Sequence, residues 1–304
     1  MQWHIIGAGA IGCLWAHNLT QVGFAVRLIL RNEQRLIEYQ ATDGIRYTDM
    51  ESKTRESAPE AELACNDSPI THLLVTTKAF STKEAVSSVK HRLQNNAHIV
   101  LLQNGMGQHE EVSALLPHCK IWAAVSTDGV YLDTPFRVVR AGQGETVLGQ
   151  FLQPNQENDL TPLLPKSIGD LTLTHSNNVA LYLWRKLAIN AAINPLTALL
   201  GCKNGELTAS LEYRNKVINL CDEIEAVATH LKQPLFDQIL SEQVFLIANL
   251  TANNFSSMHQ DVLHQRKTEI DYINGYLQSK ALSIDLDCPL NDQLINDIRA
   301  RALA

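Results

Sequence analysis

The chain has 304 residues, 45% hydrophobic and 19% charged, which describes a globular protein of one or two domains with enough chain for a sizeable core. A formal net charge of -7 gives no electrostatic case for nucleic acid or an anionic membrane surface as partner. The six cysteines form no Cys-x-x-Cys pair, His259 and His264 do not fit His-Glu-x-x-His, no metal site is expected, and no apolar run reaches membrane-spanning length. With no charged leader or apolar signal core before the first strand, these features predict a cytoplasmic protein with reduced thiols.

Residues 3–6 read as a short β run leading into Gly7-Ala8-Gly9-Ala10-Ile11-Gly12, then a helix over residues 10–21, a stop at Gly23 and a strand over 24–30. This is G-x-G-x-x-G in the strand–turn–helix–strand setting it needs. The first glycine permits a tight turn, the second lets a pyrophosphate approach the backbone, and the third lets the helix pack on the sheet. A pyrophosphate would rest on the helix N-terminus, where free N–H groups and the dipole favour an anion. After the second strand, an NAD-binding fold places Asp or Glu to hold the ribose 2′-hydroxyl. Here Arg31-Asn32 follows, and a guanidinium suits a 2′-phosphate, favouring NADP. The plainer reading is a surface arginine, with Glu33 close by.

Residues 43–68 are polar and poorly patterned, read as a short strand and loops. Strands are expected over residues 72–77, 98–102 and 121–125, with helices over 81–92 and 107–115. The alternation predicts a parallel, doubly wound sheet with ligands at the carboxyl ends of its strands. Lys78 and Asn104 both stand at such ends, although Lys78 also reads as a solvated loop charge and Asn104-Gly105 as a simple turn. Residues 130–132, 137–139 and 146–149 read as antiparallel strands extending the sheet. Residues 153–165 read as a surface loop and 171–174 as a last strand.

Beyond a boundary near residue 176 only helical segments follow, over residues 179–200, 210–230, 235–249, 255–266 and 269–283. The expected architecture is α/β: an N-terminal Rossmann-like, NADP-binding domain over 1–176 and an all-helical substrate and catalytic domain over 177–304. In the first of these helices Lys186, Asn190 and Asn194 recur at i, i+4 and i+8, which puts a lysine and two amides on one face of an otherwise apolar segment. A solvated stripe is the plain reading; a polar strip facing a ligand is the functional one, favoured because the face carries a single charge. Pro195 frees a carbonyl one turn earlier and predicts a kink just beside Asn194. Asn254 or Ser256 can cap the helix that follows them. Thr268 and Asp271 match a capping box that places Glu269 in a first helical turn, where the dipole favours a carboxylate.

The glycine motif, Lys78-Ala79, Asn104-Gly105-Met106-Gly107, Leu183 to Asn190, Asn194-Pro195-Leu196-Thr197, Asn204-Gly205-Glu206-Leu207, Ser256-Ser257-Met258 and Thr268 to Gly275, in this order, resemble the ketopantoate reductase family. The resemblance implies NADPH-dependent reduction of 2-dehydropantoate to (R)-pantoate on the route to pantothenate and coenzyme A. It puts the general acid on Lys186 and its partner carboxylate on Glu269. Substrate contacts fall on Asn104, Asn190, Asn194, Asn204, Asn254 and Ser257. Cofactor contacts fall on Gly7, Ala8, Gly9, Ala10, Ile11, Gly12, Arg31, Lys78, Asn104, Gly129 and Glu269. Asp128 and Ser81 depart from the pattern, and Asp128 implies an added negative charge on the nicotinamide side. The competing readings are a reductase of another 2-oxo acid and a non-catalytic NADP sensor; a homodimer is left open.

Overall fold

The computed structural model describes residues 1–151 and 163–302. In chain order the first part runs β1 (Gln2–Ile6), α1 (Ala10–Gln21), β2 (Ala25–Leu30), α2 (Glu33–Ala41), β3 (Ile45–Thr48), β4 (Thr54–Ser57), β5 (Glu60–Leu63), β6 (Ile70–Val75), α3 (Ala79–Ser88), β7 (Leu93–Leu101), α4 (Gln108–Leu115), β8 (Lys120–Ser126), β9 (Gly129–Thr134), β10 (Arg137–Gly142), β11 (Thr146–Gln150), β12 (Ser167–Ile168) and β13 (Leu171–His175). Helices follow: α5 (Val179–Leu200), α6 (Leu211–His230), α7 (Leu240–Leu250), α8 (Ser257–Leu263), α9 (Ile270–Leu282) and α10 (Pro289–Ala302), with a 3-10 turn at Asn204–Thr208. By internal packing the chain divides into two units: Met1–Gln103 with Gln108–Val179, and Asn104–Gly107 with Ala180–Ala304.

In the first unit six parallel strands stand in the order β5-β2-β1-β6-β7-β8. Neighbouring residues supply opposite faces. Ile5, Leu28, Leu74 and Val100 enter one buried apolar cluster, while Ile6, Ile29, Val75 and Leu101 enter another. A sheet buried on both faces needs continuous apolar runs, and the central strands have them. The direction of strand addition reverses at β1, which has β2 on one side and β6 on the other. That is the switch point where such sheets leave a crevice at their carboxyl ends. Beyond β8 the sheet continues through antiparallel β11, then β13 and β12.

Several expectations need correction. Of the three segments read as sheet extensions, only β11 joins the main sheet; β9 and β10 pair with β3 and β4 in a separate sheet ordered β4-β3-β10-β9. Residues 43–68 hold three strands, not one. Ile45 and Tyr47 are buried while Arg46 between them is exposed, an alternation too short to read before its distant partner β10 is known. The helix α2 is an addition to the expected elements: Asn32 and Glu33, beside the cofactor-side Arg31, also start a helix, and the Asn32 side chain caps it, accepting from Arg35 N–H at 3.0 Å. The segment after α3 is a 3-10 turn at Lys90–Arg92, where the buried Arg92 guanidinium pairs with Glu62. Most of the loop read at 153–165 lies outside the described residues, but Leu163 and Leu164 are buried and not surface positions.

In the second unit α5 is apolar enough to be central: Leu187, Ala188, Ala191 and Ala192 are all buried. Two carboxylates of α6 start other helices. Glu223 accepts from the N–H groups of Leu290 and Asn291, both at 2.9 Å, opening α10. Glu225 accepts from Leu240 N–H at 2.9 Å, opening α7. This is why α7 begins at Leu240 rather than at 235, and why α10 was not foreseen, despite Pro289 at its first position. The helix α8 is also shorter than expected. The capping box at Thr268 and Asp271 does not form. The helix α9 starts at Ile270 with Glu269 itself at the cap position, and Asp271 instead pairs with Arg299 at 2.6 Å.

Candidate active site

In the first unit the glycine loop follows β1 at the switch point. Gly7 has φ +107°, and a Cβ on Gly12 would sit 2.0 Å from the Gly7 carbonyl oxygen, so only glycine allows α1 to start this close to the strand. A Cβ on Gly9 would meet nothing within 4 Å: there the loop fronts open space instead of packed protein. The N-cap position at Gly9 brings no side-chain cap and no acidic residue enters the first turn, leaving the first N–H groups of α1 for an external acceptor. This cradle fits a pyrophosphate. Thr76, at the end of β6, braces it: its hydroxyl donates to the Gly7 carbonyl at 2.6 Å and its N–H to the Ile6 carbonyl at 2.9 Å. Sequence reasoning passed over Thr76, although a threonine at a strand's carboxyl end beside the switch point is a usable signal.

Arg31 is exposed immediately after β2, and Asn32 is occupied as the cap of α2. Lys78 is partly buried at the cap position of α3, its carbonyl accepting from Ser81 N–H at 2.9 Å. Gly129 opens β9, directly after the carboxyl end of β8. Asp128, expected to add charge at the nicotinamide side, instead has a fully buried side chain, ion-paired to Arg140. Its other partners are Ser126 Oγ, which donates at 3.0 Å, and Gly144 N–H, at 3.1 Å. Contrary to that expectation, the carboxylate is neutralised within the unit by Arg140.

In the second unit Lys186 and Asn190 are partly buried and Asn194 is 6% exposed, so the α5 strip is not a solvated stripe. The end of the strip is fastened to the start of α8. Thr197 Oγ1 donates to Ser256 Oγ at 2.8 Å, and Ser256 Oγ donates to the Asn194 carbonyl at 3.4 Å and caps α8 by accepting His259 N–H at 3.1 Å. His259 faces the Thr197 carbonyl through Nδ1 at 3.2 Å, which requires that nitrogen to carry a proton. Asn204 donates its backbone N–H to the Asn254 carbonyl at 3.0 Å and Nδ2 to Thr251 Oγ1 at 2.9 Å, leaving its buried Oδ1 without a donor among the described residues. Asn254 and Ser257 are both exposed. Ser256 and Thr197 are the supports that spacing alone did not reveal.

The turn Asn104–Gly107 also belongs to this unit. Asn104 Nδ2 donates to Glu269 Oε2 at 3.5 Å, and Met106 N–H donates to the Tyr272 carbonyl at 2.8 Å. A Cβ on Gly105 would stand 2.3 Å from that same carbonyl oxygen, and its φ is +80°. Glu269 is 4% exposed at the head of α9. Thus Lys186, Asn190 and Asn194 share one helix, Asn204 and Asn254 are hydrogen-bonded neighbours, and Asn104 meets Glu269. No cluster of three metal-ligating side chains occurs among the described residues, and no described helix is long and apolar enough to cross a membrane.

Residues 3–153 match the family described as "Ketopantoate reductase PanE/ApbA" and residues 178–302 its C-terminal counterpart, "Ketopantoate reductase PanE/ApbA C terminal". A 2-dehydropantoate 2-reductase of Vibrio cholerae is 33% identical over 299 residues, covering 97% of this chain and 96% of its own. The crystal structure of a PanE/ApbA family ketopantoate reductase from Ralstonia eutropha superposes with a TM-score of 0.89 at 26% identity, covering 99% of this chain and 98% of that one. A D-mandelate dehydrogenase solved with NADH and anilino(oxo)acetate shares the fold, with a TM-score of 0.86 at 22% identity over 99% of this chain and 98% of its own. The chain belongs to the ketopantoate reductase family.

Proposed function

We propose that this chain is the NADPH-dependent reductase that converts 2-dehydropantoate to (R)-pantoate, acting in the cytoplasm. The observation that carries the reading is the Lys186–Asn190–Asn194 strip, partly to fully buried on α5, in a chain one-third identical over its length to a 2-dehydropantoate 2-reductase. Bound NADPH supplies the hydride for the C2 ketone. The first unit is assigned most of its binding: the α1 N-terminus and Gly7 to Gly12 take the pyrophosphate, Arg31 the 2′-phosphate, and Lys78 and Gly129 further contacts, while Asn104 and Glu269 are the contacts assigned from the second unit.

Lys186 holds a proton at the ketone oxygen and releases it as negative charge builds there, the role an ammonium fills as general acid and electrostatic stabiliser. Glu269, held by Asn104, orients that ammonium or the substrate. The carboxylate and hydroxyl of a small polar acid meet the amides of Asn104, Asn190, Asn194, Asn204 and Asn254 and the hydroxyl of Ser257. The free Oδ1 of Asn204 suits a hydroxyl donor and not a carboxylate, so Asn204 is assigned to the substrate hydroxyl. Purified protein is offered NADPH with 2-dehydropantoate and with a panel of other 2-oxo acids, following NADPH absorbance. The expected result is turnover with 2-dehydropantoate above every other acid; preference for another acid supports the runner-up reductase, and NADPH binding without turnover on any acid supports the sensor.

A further inference from the structure

Pro195 has no N–H, so the Ala191 carbonyl one turn earlier has no donor within α5. Asn274, on α9 and fully buried, fills that place: its Nδ2 donates to the Ala191 carbonyl at 3.1 Å. The same amide donates to Asn291 Oδ1 on α10 at 2.9 Å, and Asn291 Nδ2 returns a bond to the Asn274 carbonyl at 3.1 Å. Two acceptor oxygens around Nδ2 fix the orientation of the amide, since a flip would turn Oδ1 onto both of them. Its Oδ1 then has no donor among the described residues.

We propose that Asn274 is a positioning residue for substrate binding. Its bond lands on the turn between Asn190 and Asn194, on the helix that also carries Lys186, while its own helix starts next to Glu269. One buried amide thereby sets the register of the helix bearing the polar strip against the helix bearing the carboxylate. Trp184 and Tyr276 reinforce the same pair of helices, with rings edge-on at 5.9 Å. The proposal rests on the reading of the strip as the substrate site.

The test uses full-length protein and steady-state kinetics with 2-dehydropantoate and NADPH, together with thermal melts. Asn274→Ala is expected to raise the substrate KM about tenfold, with the NADPH KM within about twofold of wild type. Pro195→Ala restores an N–H that can donate to the Ala191 carbonyl, though not to Asn291 Oδ1, so Pro195→Ala/Asn274→Ala is expected to recover part of the melting temperature lost in Asn274→Ala while keeping a substrate KM about tenfold above that of Pro195→Ala. Should Asn274→Ala alone fail to fold, the repaired double variant carries the KM reading. An unchanged substrate KM in Asn274→Ala, or a double variant whose KM falls back with its stability, overturns the proposal and leaves Asn274 as filler for a vacant acceptor. A wild type inactive on 2-dehydropantoate overturns the functional reading, and this proposal with it; an active wild type with unaltered variants overturns this proposal alone.

Discussion

Asn104 Nδ2 stands 3.5 Å from Glu269 Oε2, joining positions 165 residues apart in sequence. The distance is that of a weak hydrogen bond, but the main chain fixes the approach. Met106 N–H donates to the Tyr272 carbonyl at 2.8 Å, and Gly105 passes where a Cβ would be 2.3 Å from the same oxygen. The turn after β7 is thus sewn to the first turn of α9, and the amide reaches the carboxylate as a consequence.

Arg31 should set the choice of cofactor. It is exposed at the carboxyl end of β2 with no acid in the adjacent position. A charge-assisted contact is worth roughly 1.5–3 kcal/mol, about 10- to 150-fold in affinity. The wild type is expected to prefer NADPH to NADH, and Arg31→Ala to lose that preference mainly through the NADPH KM. Equal use of both cofactors by the wild type would remove Arg31 from the account.

The amide set should act on substrate and not cofactor. Asn190→Ala and Ser257→Ala are expected to raise the substrate KM by about tenfold each, with little change in the NADPH KM. Asn194→Ala adds a loss of thermal stability, because the side chain it truncates is buried. Unchanged kinetics with lower melting temperatures in all three would make them structural.

The Asp128–Arg140 pair should be a stability element. Both side chains are buried, and Asp128→Ala leaves a guanidinium without its counter-charge, a loss of about 3–5 kcal/mol. Urea unfolding should show it. Asp128→Ala with wild-type stability and a changed NADPH KM would return Asp128 to the cofactor site.

Acid should weaken the fold through buried imidazoles. Burial pushes His109 down to about 3, and both its ring nitrogens lack hydrogen-bond partners among the described residues. Burial also holds His4, His17 and His72 at about 4. A depressed folded value means the unfolded chain takes up protons first, so this stability is fully present above about pH 6.5 and is lost as pH falls towards 4. The slope is about 1.4 kcal/mol per pH unit for each proton taken up. His109→Phe, next to the stacked ring of Phe151, should give a shallower acid limb in urea titrations between about pH 7 and 4; an unchanged limb would show that His109 does not contribute.

What could be read from sequence follows from how local its encoding is. Gly7, Gly9 and Gly12 act within one turn, and the strip of Lys186, Asn190 and Asn194 needs only helical periodicity, so both were legible. The pairing of β3 with β10 and the start of α10 on Glu223 depend on partners far along the chain, and apart from Pro289 at the start of α10 neither left a local pattern. The same holds for the site's supports. Thr76 beneath the glycine loop, Ser256 against Thr197 and Asn274 on the carbonyl freed by Pro195 are tertiary hydrogen bonds between residues that also have ordinary local roles. Asp128 misled for that reason: its charge was visible, its partner Arg140 was not.

The most direct measurement is the turnover of Lys186→Ala on 2-dehydropantoate, paired with NADPH titration by fluorescence. General acid catalysis is worth about 10²–10⁴-fold, so kcat should fall by at least about that factor while NADPH binding is retained. Glu269→Ala should lose less, and the double variant should lose less than the product of the two if the pair serves the one proton-transfer unit proposed for it. Near-normal turnover in Lys186→Ala would place the proton donor elsewhere and reduce the α5 strip to a helix face.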